Sequence, residues 1–245
     1  MDARFNLNLD GVAAIRGLRG GREPDPVAVA LLAELAGAHG LAITVRDDRR
    51  GGQERDLRML RESVTTEFDL RLTPAADLVA IAFDTRPDRV TLIAERREGE
   101  ISAAGLDIQL LRDALRKHVQ HLRDADVEIA FSIAPDLDQV KAAHRLDADM
   151  VVLHAGAYSA TQAPQDRRLE LTRLLDAAVT AARLGMRVAI GGGLDLRGVE
   201  EVARIHHATE FQVGQACLAR SLLVGVERGV GDFLAAIARG RQRPL

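Results

Sequence analysis

The feature that most limits what this chain can fold into is a one-for-one alternation of short β-rich runs with helical stretches. The β-rich runs lie at residues 5–10, 41–46, 68–73, 89–94, 128–133, 150–154, 187–191 and 211–214. Between them, stretches such as 26–38, 106–123, 137–146 and 168–184 place apolar residues at helical spacing. Pro24-Asp25-Pro26, Thr73-Pro74 and Pro135-Asp136 supply helix start signals. A helix between every two strands carries the chain back across the sheet, so the strands run parallel. Eight such units within 245 residues predict an α/β fold: a single (β/α)8 TIM barrel with extra helices, one domain over residues 1–245. That fold typically takes about 250 residues. A doubly wound open sheet is the alternative. No linker or low-complexity segment divides the chain.

Alternate side chains of a strand point to opposite faces. In the first run Phe5, Leu7 and Leu9 share one face, and Asn6, Asn8 and Asp10 the other. In the third, Phe68, Leu70 and Leu72 oppose Asp69, Arg71 and Thr73. The apolar faces should meet the helices, which turns Asn8, Asp10, Asp69 and Arg71 inward. A buried charge must find a partner or face a wet pocket. Asp69 is expected in a paired ionic layer. Asp10 and Arg71, nearer the strand ends, are expected to face a ligand.

Charge and cysteine content narrow the partners. The formal net charge is −3, so no global field recruits nucleic acid or a membrane surface. The basic residues are almost all arginine, with Lys117 and Lys141 the only lysines. The single cysteine, Cys217, rules out an internal disulfide and reads as a buried small residue. No apolar stretch is long enough to span a bilayer, and residues 1–11 do not look like a signal peptide. A cytoplasmic protein is expected.

Three constellations carry chemistry. Gly191-Gly192-Gly193 ends the seventh run, and Gly214 ends the eighth with a helix expected to begin near Gln215. Glycines let backbone N–H groups approach an anion, and loops seven and eight with a helix N-terminus form the recurrent phosphate site of this fold. Arg46-Asp47-Asp48-Arg49-Arg50-Gly51-Gly52 follows the second run. Arg46 at the strand end reads as an anion clamp, while Arg49 and Arg50 fit either a clamp or a solvated charged loop. Among seven histidines, His154 alone ends a strand. His118, His121, His144, His206 and His207 fall in helical patterns and His39 in a loop. None pairs with cysteine or carboxylate at metal-ligand spacing, so no zinc site and no other cofactor is expected.

Taken in order, the motifs resemble those of the pyridoxine 5′-phosphate synthases. The similarity runs through Asn8-Leu9-Asp10, Arg16, Arg19, residues 23–27, residues 33–38, residues 46–50, Glu95-Arg96-Arg97, Gly105-Leu106-Asp107, residues 154–158, Gly193-Leu194 and Gly214. The resemblance implies a (β/α)8 barrel with extra helices, assembled as a homo-oligomer, usually an octamer. It implies condensation of 1-deoxy-D-xylulose 5-phosphate with 3-amino-2-oxopropyl phosphate into a pyridine ring. It assigns Asn8 and Gly193, with Gly214 beside them, to the amino-ketone phosphate. It assigns Asp10 and Arg46 to the deoxyxylulose phosphate, and Arg19 to ligand binding.

The same resemblance marks departures. The family pattern has histidine where this chain has Gly11, Thr44, Gly51, Gly192 and Gln215, and glutamate where it has Arg71 and Val152. A threonine ligand aligns near Ile101 or Ser102. A positioned acid–base group contributes roughly 10²–10⁴-fold to rate, and ring closure needs several. Three readings follow. The chain is a divergent enzyme, with His154 or Asp10 as acid–base group and Asn8, Arg19, Arg46, Arg71, Gly192, Gly193, Gly214 and Gln215 binding a phosphorylated or anionic metabolite. Or it is a non-catalytic binding or regulatory relative. Or it retains weak synthase activity.

Overall fold

The computed structural model describes residues 3–45, 52–94, 105–243 and 245. Among these, eight strands close into one all-parallel barrel in sequence order. They are β1 (Arg4–Asn8), β2 (Gly40–Val45), β3 (Glu67–Leu72), β4 (Arg89–Leu92), β5 (Glu128–Ile133), β6 (Met150–His154), β7 (Arg187–Gly191) and β8 (Glu210–Val213). The helices are α1 (Asp10–Arg19), α2 (Pro26–Leu35), α3 (Glu54–Ser63), α4 (Ala76–Thr85), α5 (Arg112–Asp124), α6 (Leu137–His144), α7 (Gly156–Ala160), α8 (Pro164–Arg183), α9 (Leu196–Val202), α10 (Gln215–Val224) and α11 (Val226–Arg241). None of these helices is long and apolar enough to cross a membrane.

Local chemistry sets several helix starts. Asp25 accepts from Val27 N with Pro26 in the first turn of α2, Asp136 accepts from Asp138 N and Gln139 N, and Asp195 accepts from Gly198 N. At α3 the Asp56 side chain accepts from Gln53 N (2.9 Å), and Asp56 N donates back to Gln53 O (2.8 Å). Two sequence expectations shift. Asp10 does not extend β1 but opens α1, where an acid suits the positive helix end. His206 and His207 lie in the turn between α9 and β8, not in a helix.

The strand faces divide as their alternation predicts. Phe5, Leu7, Leu41, Ile43, Phe68 and Leu70 are buried in the large core between barrel and helices. Burying each such side chain contributes roughly 1.5–3 kcal/mol. The inward positions differ in character. Register places Thr44, Arg71, Thr91, Ala130 and Met150 on one face, and Ser132, Val152, Ala189 and Glu210 likewise. Ala130, Met150, Val152 and Ala189 form a small apolar cluster of their own. Beside it lies an ionic layer. Arg89, fully buried, donates to Asp69 (3.0 Å) and Glu210 (2.8 Å) and pairs with Glu67 (2.5 Å). Burial opposes the Arg89 charge, but Asp69, Glu210 and Glu67 outweigh it and hold the guanidinium well above its usual range. Asp69 thus takes the paired place expected of it.

Candidate functional site

The strand C-terminal ends bring together the first group of candidates. Asn8 Oδ1 accepts from Asp10 N (2.8 Å), and Asn8 Nδ2 donates to the Asp10 carboxylate (3.0 Å). The same carboxylate accepts from Thr44 N and Thr44 Oγ1, both at 2.7 Å. Asp10 therefore fastens α1 to β1 and β2. Three donors occupy its oxygens. A Cβ at Gly214 would lie 3.1 Å from Asn8 Cβ and 3.1 Å from Asn8 O, so glycine just after β8 eases its close approach to the end of β1. Gln215, exposed, opens α10.

A second group lies across the mouth. His154 ends β6, half buried, and register pairs it with Gly191. Its Nδ1 accepts from Gly156 N (3.1 Å). Gly192 and Gly193 follow β7 with φ of 93° and 76°, a region that glycine enters freely. A Cβ at Gly192 would lie 2.7 Å from His154 Nε2, and one at Gly193 3.2 Å from Ser159 Cβ. Ser159 is a residue the sequence did not flag. Its hydroxyl is buried with no hydrogen-bond partner among the described residues.

Arg71, next to last in β3, lies between Thr44 and Thr91. No ion pair or hydrogen bond among the described residues includes it, and its Nε is buried without a partner. Thr91 is engaged elsewhere, donating to Asp69 (2.7 Å). Val152 is buried in the apolar cluster. Gly11 faces α10, where a Cβ would meet Leu218 Cδ2 at 2.8 Å. Arg19 lies exposed in the last turn of α1, about 13 Å along the helix from Asp10, and is not brought into either group. Arg46, Arg49, Arg50, Gly51, Glu95, Arg96, Arg97, Ile101 and Ser102 lie outside the described residues.

Behind the second group, Tyr158 of α7 donates to Glu201 (2.5 Å) and accepts from Arg167, whose guanidinium stacks 4.2 Å from the ring centre. Burial and the Glu201 carboxylate push the phenol above its ordinary range. It stays protonated, a latch holding α7 against α8 and α9 beside His154 and Ser159.

Comparison with known proteins adds the family context. The family model described as pyridoxal phosphate biosynthesis protein PdxJ matches residues 5–239. A pyridoxine 5′-phosphate synthase of Syntrophotalea carbinolica is 41% identical over 231 residues, covering 94% of this chain and 97% of that one. The enzyme of the same name from Geotalea daltonii is 40% identical over 232 residues, covering 95% and 97%. Among solved structures, phosphoribosyl anthranilate isomerase of Thermus thermophilus superposes with a TM-score of 0.62 at 15% identity, covering 97% of this chain and 100% of that one. That likeness is one of fold alone.

Proposed function

The chain belongs to the pyridoxine 5′-phosphate synthase family, and from that premise we propose that it binds a phosphorylated or otherwise anionic small metabolite at the barrel mouth and acts on it by altered chemistry rather than by the family condensation. The observation that carries this reading is Arg71. The other arginines that register turns to the same face are matched by carboxylates: Arg89 by three, Arg187 by Glu128 and Glu67, and Arg4 by Glu67. Arg71 has no such partner and stands at the strand end. An arginine stays protonated at any relevant pH and offers a planar five-donor fork. It cannot accept the protons that a glutamate there would take, and it suits a carboxylate or phosphate.

The remaining positions support the same reading. Thr44 is committed to Asp10, Val152 sits in an apolar cluster, and Gly11 has the end of the Leu218 side chain beside it. None offers an acid or base. Among the described residues, His154 and Asp10 are the groups proposed to act on a ligand. Asn8, Asp10, Gly193 and Gly214 form the proposed cradle, with Gly192, Gln215 and Arg46 completing the proposed binding set; Arg19, exposed in the last turn of α1, stands apart from it. A non-catalytic ligand-binding relative is the second reading, favoured by the three donors that occupy Asp10. The family also implies a homo-oligomer, an octamer in most members.

Arg71→Met tests the first reading. It should weaken binding of methyl phosphate or a sugar phosphate by about 1.5–3 kcal/mol, the scale of a hydrogen bond to a charged group, with little change in stability. Calorimetry and thermal melts read the two quantities. Unchanged affinity together with a collapsed melting temperature would make Arg71 part of the scaffold and remove the main support for a new substrate.

A further inference from the structure

Away from the barrel mouth, α9, which joins β7 to β8, packs against α11, and the two helices border a groove of about 310 Å³. Its lining holds four arginines, Arg197, Arg204, Arg239 and Arg243, and two glutamates, Glu200 and Glu201. Both acids are already met. Arg239 donates to Glu200 through Nε (2.9 Å) and pairs with it through Nη2 (2.8 Å). Glu201 accepts from Tyr158 (2.5 Å) and from Arg167 (3.0 Å), neither of which lines the groove. Among the described residues these are the groove's ion pairs, and none includes Arg197, Arg204 or Arg243. Three guanidinium charges therefore border one groove without a counter-charge, on a chain whose formal net charge is −3.

The backbone holds these arginines together. A Cβ at Gly240 would run into Glu200 O, so glycine there lets α11 lie directly against α9. Arg197 and Arg204 stand two helical turns apart on one face. Arg204 N donates to Glu201 O (3.2 Å) in the turn that closes α9, and Arg243 N donates to Gly240 O (3.0 Å) just past α11. Arg204 Nε donates to Arg243 O (2.8 Å). That bond fixes the half-buried Arg204 side chain and leaves its Nη donors for an acceptor from outside.

From this arrangement we propose that the groove is a second anion site, separate from the barrel mouth, for a small ligand carrying two or more linked phosphate groups. Like charges gathered without a counter-charge repel one another, and a polyanion removes that repulsion. A guanidinium fork matches phosphate oxygens two at a time. The volume lies at the lower end of small-molecule sites, roughly 300–1,000 Å³. The lining offers no apolar or aromatic side chain, so what it recognises is the phosphate chain and not a ring or alkyl group attached to it.

Calorimetric titration of the intact protein with inorganic triphosphate at low ionic strength tests the site, with inorganic phosphate as the comparison. Triphosphate should bind at least about tenfold more tightly, because one phosphate does not reach all three guanidinium groups. Arg204→Gln and Arg243→Gln should each weaken triphosphate binding about tenfold, the scale of one hydrogen bond to a charged group. Arg116→Gln removes the same charge from α5, outside the groove, and should change the affinity by less than about twofold, since distant surface charges are screened. Thermal melts establish that each variant is folded, and Arg197→Gln replaces any groove variant that is not. Equal affinities for phosphate and triphosphate, no triphosphate binding at millimolar concentration, or equal losses in the groove and Arg116 variants would overturn the site. Tight triphosphate binding that the groove variants leave untouched would place the ligand elsewhere and overturn it as well.

Discussion

At the scale of single residues, burial and local hydrogen bonds decide which groups can react. Cys217 is 1% exposed, and burial pushes its thiol up to about 11, against a smaller opposing pull from the Ser221 hydroxyl. At pH 8 it is a thiol, so the native protein should resist iodoacetamide and react once denatured. Rapid stoichiometric labelling of the folded protein would contradict that. The flanking Ala216 and Leu218 made this burial legible in the sequence. His154 was legible too, because a histidine at a strand end falls at the mouth whatever the helices do. Asp10 was legible only in part. Alternation identified its polar face, but Asn-x-Asp does not reveal that the third residue turns into a helix and is held by Thr44. Ser159 carried no signal at all: it belongs to a five-residue helix, and only tertiary placement brings it against Gly193.

At the scale of elements, strand alternation identified the ionic layer that joins β3, β4 and β8 through Asp69, but not its cation. Arg89 shares a face with Thr91 in an alternating Arg-Val-Thr-Leu run, but the pattern does not say that its side chain reaches Asp69 and, across the barrel, Glu210. Arg89→Met would leave Asp69 and Glu210 without their buried counter-charge, while Glu67 would keep Arg4 (3.0 Å) and Arg187 (3.8 Å). Breaking a buried pair in this way costs about 3–5 kcal/mol. Urea denaturation should show that loss at pH 7, with an unchanged midpoint as the contrary result. Helix starts were legible where an aspartate caps, as at Asp25 and Asp136. They were less so for α8, which begins at Pro164, four residues before the periodic run at 168–184. The polar residues between, exposed except for Arg167, show no apolar stripe.

At the scale of the molecule, one surface stands apart. Leu18, Leu35, Leu222 and Leu223 are between 73% and 89% exposed on α1, α2 and α10, elements that pack side by side or through α11. Next to them a groove of about 460 Å³ is lined by Leu32, Val224 and Val226. Protruding leucines beside a groove that Glu227 and Arg228 also line suit a self-complementary contact, in line with the homo-oligomer proposed above. Light scattering should find an assembly larger than the 26.5 kDa chain, and Leu35→Glu with Leu223→Glu should dissociate it. A monomer before mutation would refute this surface. The fold itself was legible because eight strand–helix units in this length leave few closures. The chemistry was legible only through the resemblance, which implies acids and bases at positions that here hold glycine, threonine, valine, arginine and glutamine. The most direct test is to incubate the purified protein with 1-deoxy-D-xylulose 5-phosphate and 3-amino-2-oxopropyl phosphate and follow pyridoxine 5′-phosphate by chromatography, with the Syntrophotalea carbinolica relative as the positive control. Altered chemistry predicts no product above the protein-free background under conditions in which the control turns over. Product at a rate within about tenfold of the control would contradict it, because losing even one positioned acid–base group costs more than that.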